Sequence, residues 1–520
     1  MIGGIILIFV LVALVAGAVV GVRRLAGRGA TAPTPEGHAV RQFFQYLLLF
    51  GLLVVTAVGV AGLLATAFAQ STTIVVTDSA IARSVAFTVV GLPLLTGVAL
   101  WSRRTLADDP AEARSVAWLL YLSAASLISL LIALFALHDV LSWLLDLRPF
   151  SPQALANALV WTAVWGFHWW RGARRGDLPL LQPQLLAGSL LGLVVGLVGL
   201  GVLLTGALDR WFGLDESELI VGRHEPILEG AVTLLLAAAV WALYWLATAL
   251  RTQRNVLWHG YVLLVGAAAG LVVAVTAASV GLYRLLVWLV GQPGQDDADR
   301  YFSTMPETVA ATVVGLLTLT YHQTVLREEQ RPDRTEIDRV RDYLLAVIGL
   351  GAATAGTTIV IVALVEAIAD PSLVSSSGPA NTLIAALTLL GVGAPVWWFF
   401  WSRGQRAAAA SHDEVVAPTR RLYLFVLLGV ASLAAVGALL AGAWLLVDHL
   451  LQGDPGLVTL RSIRFPIGIL VTAAAVAAYH WSVYRGERQP AAPRPTGPQF
   501  VVLLGVADAA TAAAINRRTG

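Results

Sequence analysis

Polar positions in this chain gather in short clusters, and between the clusters run apolar stretches of about the 20 residues that a membrane-spanning helix needs. These stretches fall at 2–22, then at 43–68, 84–101, 116–137 and 152–170, then at 185–208, 227–250, 257–290 and 305–326, and finally at 343–369, 382–401, 422–450 and 465–484. None shows the strict alternation of a strand that is wet on one face. Lipid offers the backbone no hydrogen-bond partner, so a spanning segment is either a helix or a strand of a closed barrel, and runs this long without alternation are helices. The pattern predicts an all-α, polytopic transmembrane helical bundle of about 13 helices.

Three of the apolar runs close on related stretches: Gly166-Phe167-His168-Trp169-Trp170-Arg171, Thr320-Tyr321-His322-Gln323, and Ala478-Tyr479-His480-Trp481 leading to Arg485. The histidines lie 154 and 158 residues apart (322 − 168 and 480 − 322). A period of that size defines the architectural unit. Gly91-Leu92-Pro93 before Trp101-Ser102-Arg103, and Gly393-Ala394-Pro395 before Trp401-Ser402-Arg403, make alternate hairpins alike. The corresponding hairpin of the middle unit lacks the proline and ends Trp241-Ala242-Leu243-Tyr244-Trp245. The expected organisation is an N-terminal anchor and linker at 1–40, four-helix repeats at 41–175, 180–330 and 339–488, and a Pro-rich tail at 489–520. Four helices return the chain to the side it left, so the repeats are expected to run parallel, about an axis along the membrane normal, in a ring or arc.

Composition agrees with lipid as the main solvent: 58% of residues are hydrophobic and 13% charged. With no cysteine, disulfides, thiolate metal sites and cysteine nucleophiles are excluded. All 34 basic residues are arginine, which removes lysine Schiff-base chemistry. With the loops assigned alternately, 26 arginines fall on the face that includes Arg23, Arg103, Arg171, Arg251, Arg327, Arg403 and Arg485, and 8 on the other, among them Arg83 and Arg148. Arginine excess in short loops marks the cytoplasmic side. The reading is therefore a bacterial inner-membrane protein with its N-terminus outside and its C-terminus in the cytoplasm.

Basic-aromatic stretches such as Arg41-Gln42-Phe43-Phe44-Gln45-Tyr46 and Arg420-Arg421-Leu422-Tyr423, with Gly-x-Pro or His-Trp exits before arginine, resemble the bacterial membrane domain of unknown function DUF5671. The middle unit departs from the pattern, with Gln182-Pro183-Gln184 in place of the basic start. The resemblance implies a polytopic bacterial membrane protein in tandem units, and it carries no assigned activity and no catalytic residues.

His168, His322 and His480 are the candidates for holding a cofactor. Three imidazoles at equivalent helix ends would be able to ligate a metal or haem if their helices converged. The other reading, favoured because no second ligand recurs with them, is that the rings mark the membrane-water interface beside Trp and Tyr. No resident metal or other cofactor is expected. Arg284, Glu366, Asp139 and Asp448 stand at the opposite ends of their spans and would mark a pathway only if they faced the bundle interior. Asp333 and Thr335 are candidate caps for a charged segment at 327–342, and 500–515 is too short to span.

The middle thirds of the spans carry essentially no ionisable residue, whereas ion-coupled carriers keep one near the midplane. Walker, His-Glu-x-x-His and Gly-x-Ser-x-Gly motifs are absent. The expected role is thus structural: a scaffold or accessory component of a membrane assembly, more in keeping with a non-enzyme. Its partners would be the bilayer and other membrane proteins, with no nucleic acid. The alternative is a transporter or channel for a small or lipophilic solute, for which Thr56, Ser126, Ser129, Thr276 or Thr357 would have to converge on a wet cavity.

Overall fold

The computed structural model describes residues 36–69, 78–173, 178–213, 225–294, 297–327, 334–369, 377–453 and 456–487. The expected anchor at 2–22 with Arg23, Arg24 and Arg28, the charged residues 328–333 with Asp333, Arg175 and the tail segment 500–515 lie outside the described residues.

Among the described residues there is no strand. The long helices are α1 (Glu36–Ala69), α2 (Asp78–Asp108), α3 (Val116–Leu144), α4 (Pro152–Ala173), α5 (Leu178–Phe212), α6 (Pro226–Trp241), α7 (Val256–Val290), α8 (Met305–Arg327), α9 (Glu336–Ala369), α10 (Ser377–Ala410), α11 (Pro418–Leu451) and α12 (Arg464–Glu487). Among the described residues, eleven helices are long and apolar enough to cross a membrane. The expected span at 152–170 forms α4 but is not one of the eleven, since Gln153, Asn157, Thr162, His168 and Arg171 dilute its apolar content. At 22 residues and 1.5 Å per residue it is still about 33 Å long. His38, assigned to a flexible linker by its Pro/Gly-rich neighbours, belongs to α1.

The chain divides into two compact units, 1–337 and 338–520. In the first, α1 packs on α2 and α4, and α3 on α4; likewise α5 packs on α6 and α8, and α7 on α8. Helix α3 is the inner one: 72% of its most apolar window is buried, against 6% for α2. An apolar helix exposed to that degree is accommodated by lipid. The α7/α8 contact is backbone to backbone, because a Cβ on Gly270 would stand 2.7 Å from the Leu319 nitrogen and one on Gly315 2.6 Å from the Ala274 nitrogen.

Two helices depart from α geometry in the same region. Helix α6 continues as a π-helical turn at Ala242–Leu246, and α7 is π-helical at Tyr261–Ala268. At the far end of α3, Asp146 adopts a left-handed φ of 58°, while Asp146 N–H donates to Trp143 O and Leu147 N–H to Ser142 O. That is a Schellman stop, in which a short polar residue takes the position glycine usually holds. It turns the chain into 147–151, where Ser151 Oγ accepts from Ala154 N–H and starts α4.

In the second unit α11 packs on α12. Helix α9 reaches α10 through the Tyr343 and Trp401 rings, 6.3 Å between centroids, and α12 through a Thr358 to Thr472 hydroxyl bond of 3.1 Å. Helix α9 begins directly after Thr335.

Candidate functional site

The three histidines turn inward. His168, His322 and His480 are 3%, 0% and 1% exposed, so these rings are core groups and do not lie open to the interface as expected. Each bonds through Nδ1, at 2.8 Å, to the carbonyl four residues earlier: Val164, Thr318 and Val476 respectively. A carbonyl can only accept, so Nδ1 carries the proton and Nε2 presents a lone pair to the space between helices. At His168 that lone pair accepts from the Tyr121 hydroxyl at 2.9 Å. At His322 and His480, Nε2 is buried with no partner among the described residues.

The aromatic surroundings share a scheme. Tyr121, Tyr261 and Tyr423 stand near the starts of α3, α7 and α11, with ring centroids 5.6, 6.3 and 6.0 Å from His168, His322 and His480. Their hydroxyls differ in destination. Tyr261 bonds Ser189 at 2.7 Å and leaves His322 aside, and Tyr423 Oη is unpartnered among the described residues. Trp245 Nε1 donates to Tyr321 Oη, and Trp401 Nε1 to Tyr479 Oη, both at 2.7 Å. These tyrosines immediately precede His322 and His480, whereas Phe167 precedes His168. Trp101, matched to Trp401 by its Trp-Ser-Arg context, is 47% exposed while Trp401 is fully buried, so the two are not counterparts. Glycine contacts add to the fit: a Cβ on Gly266, within the π-helical stretch of α7, would sit 2.1 Å from the His322 ring.

Charged groups cluster at the helix ends nearest these rings. Glu112, on the short helix Pro110–Arg114 and buried, accepts from Arg41 at 2.8 Å and from Tyr46 at 3.1 Å. Glu414, on His412–Val416, is likewise buried and accepts from Arg339 at 2.9 Å. Between α5 and the segment before α7 the polar contact is made by amides: Gln182 Nε2 donates to Gln253 O at 2.8 Å and to Thr252 Oγ1 at 3.2 Å. Arg420, fully buried, bonds Glu487 at 3.0 Å, the Tyr343 hydroxyl at 2.9 Å and Gln405 at 2.8 Å, with its guanidinium 5.4 Å from the Trp401 ring centroid. Arg420 lies at the start of α11 and bonds Glu487 of α12, while Arg41 lies near the start of α1 and bonds Glu112 of a short helix, so the two basic-aromatic stretches make different contacts.

The four charged candidates at the opposite ends are peripheral. Asp139, half exposed, pairs with Arg148 at 2.8 Å. Asp448 accepts from Gln452 at 2.9 Å on an exposed turn. Glu366 lies 4.0 Å from both Arg461 and Arg464. Arg284 donates to the Tyr301 carbonyl at 2.7 Å and fastens the connection into α8. The polar residues proposed to line a cavity also disperse. Ser126 bonds the Tyr244 hydroxyl at 3.2 Å, Ser129 and Thr357 bond their own helices, and Thr276 is exposed. Thr56 is buried against α2, with its hydroxyl unpartnered among the described residues. No group of three or more His, Asp or Glu side chains able to hold a metal occurs among the described residues.

The fold and this aromatic layer define a multi-pass, all-helical membrane protein with a polar seam at one end of its helices. The model of the family described as Domain of unknown function (DUF5671) matches residues 42–167 and 339–475, and the chain belongs to that family. The matches fall on α1–α4 and on most of α9–α12, and leave out α5–α8. No curated protein and no solved structure matches the chain.

Proposed function

We propose that the protein is an integral scaffold or accessory subunit of a bacterial inner-membrane assembly, built from three parallel four-helix repeats whose arginine-rich ends face the cytoplasm. The observation that carries this reading is where the buried polar atoms point. Tyr121 and His168, Ser189 and Tyr261, Trp245 and Tyr321, and Trp401 and Tyr479 satisfy one another between helices. Paired in this way they fix helix positions, as polar contacts between membrane helices do. A scaffold requires that rigidity. Purification in mild detergent tests the role: a stoichiometric protein partner supports it, and a bound small solute without one refutes it.

The alternative, a transporter or channel for a small or lipophilic solute, is favoured by one observation, the unpartnered Nε2 atoms of His322 and His480. Sidedness is open to a direct test, because the chain has no cysteine of its own. Single cysteines at Arg103, Arg327 and Arg403 are expected to react only with a membrane-permeant maleimide in intact cells. Labelling of all three by an impermeant reagent from outside would refute the assigned sidedness, and labelling of only some of them would refute the parallel arrangement.

A further inference from the structure

A groove of about 520 Å³ opens between the end of α1, the start of α2 and the segment leading into α4. Gly62 and Ala65 form part of its floor, Phe87 and Phe150 stand as apolar walls, and Gln153 and Arg83 supply polarity. Arg83 is the one charged side chain lining it among the described residues. It is exposed and makes no ion pair or hydrogen bond among them. The neighbouring Arg148 differs, since Asp139 and Glu229 hold it at 2.8 and 3.8 Å.

The depth of Arg83 follows from helix length. Helix α2 has 31 residues and is about 46 Å long, against a hydrocarbon thickness of about 30 Å. About 8 Å therefore projects beyond the hydrocarbon at each end. Arg83 lies five residues into the helix, about 7.5 Å from its start, which is the level of the lipid glycerol and phosphate. A guanidinium at that depth, with no counter-charge among the described residues, stands within reach of the anionic oxygens of lipid headgroups. Guanidinium binds phosphate with paired, charge-assisted hydrogen bonds. The groove also runs along the largely unburied helix α2, so an occupant is able to enter sideways from the bilayer.

From this geometry we infer that the groove is a binding site for an anionic phospholipid, with Arg83 on the phosphate and an acyl chain along Gly62, Ala65 and Phe87. The inference rests on α1 and α2 crossing the membrane and is independent of the scaffold role.

Native mass spectrometry of the full chain, released from phosphatidylcholine nanodiscs doped with phosphatidylglycerol, tests it. The expected result is one phosphatidylglycerol retained per chain in preference to phosphatidylcholine. Arg83→Gln should reduce retention about tenfold or more, Arg83→Lys should restore part of it, and Arg148→Gln should leave it unchanged. Arg83 is exposed, so neither replacement at this position disturbs the core. Equal retention of the two lipids by the unaltered chain, or undiminished phosphatidylglycerol on Arg83→Gln, overturns the proposal. Displacement of the lipid by millimolar inorganic phosphate would also overturn it, by showing a site for free anions.

Discussion

Trp401 donates its indole N–H to the hydroxyl of Tyr479 at 2.7 Å, and the tyrosine stands directly before the buried His480. The bond joins α10 to α12 at the level where the rings of Tyr343, Tyr423, His480 and Trp397 also meet, so its loss is felt by a whole layer. Tyr479→Phe leaves the Trp401 N–H without an acceptor and is expected to cost about 1–2 kcal/mol. Because both groups vanish together in Trp401→Phe/Tyr479→Phe, a double-mutant cycle from melting in detergent should show coupling above about 0.5 kcal/mol.

The tyrosines facing the histidines should respond unequally. Tyr121→Phe removes the donor to His168 Nε2 and is expected to cost about 1 kcal/mol. Tyr423→Phe removes a hydroxyl that has only the electrostatic approach of the Trp397 N–H to lose, and should cost less than about 0.5 kcal/mol. A larger loss for Tyr423→Phe than for Tyr121→Phe in the same melting assay would contradict the arrangement of the rings.

Ion pairs should divide by burial. Glu487→Gln strips the carboxylate from a fully buried Arg420 and is expected to lower stability by about 2–3 kcal/mol, somewhat less than for a wholly enclosed pair because Glu487 is partly open to solvent. Asp139→Asn breaks an exposed pair with Arg148 and should stay within about 0.5 kcal/mol of the parent. Chemical denaturation in mixed micelles separates the two.

Helix α8 is held against α7 by the absence of side chains. Gly315→Ala places a methyl 2.6 Å from the Ala274 nitrogen, and no rotamer relieves a clash with backbone. The two helices must part, and a loss of about 2 kcal/mol or more in the melting assay is expected, in the range of overpacked cores. Gly97→Ala, with nothing within 4 Å, should be tolerated or mildly stabilising through helix propensity.

Much of the helical layout was legible because lipid imposes length and hydropathy together. Runs at 116–137 and 257–290 became α3 and α7 with starts correct to a residue; α3 runs on to Leu144, while α7 ends at Val290 as expected. The site was less legible, for reasons that particular residues make plain. Trp-Ser-Arg looked like one motif in two places, yet Trp101 lies eight residues after Pro93 and Trp401 six after Pro395. Two residues on a helix of 3.6 per turn are about 200°, enough to move a ring from core to lipid. That difference was present in the spacing. The inward turn of His168, His322 and His480 was not: an aromatic-flanked histidine beside arginine fits an interface as well as a core, and only the packed partners decide. Nor does any apolar pattern announce the π-helical turns at 242–246 and 261–268, since they change hydrogen-bond register without changing composition.

The Arg420 pair has a consequence for how the molecule is made. Its acidic partner lies 67 positions later, near the close of α12, so a ribosome delivers the arginine well before the carboxylate that neutralises it. Until that last helix arrives, the α9–α11 portion keeps an uncompensated cation where α10, α11 and α12 are to close. A chain interrupted before Glu487 therefore keeps Arg420 without the carboxylate that neutralises it, and lacks the ion pair that fastens the start of α11 to the close of α12.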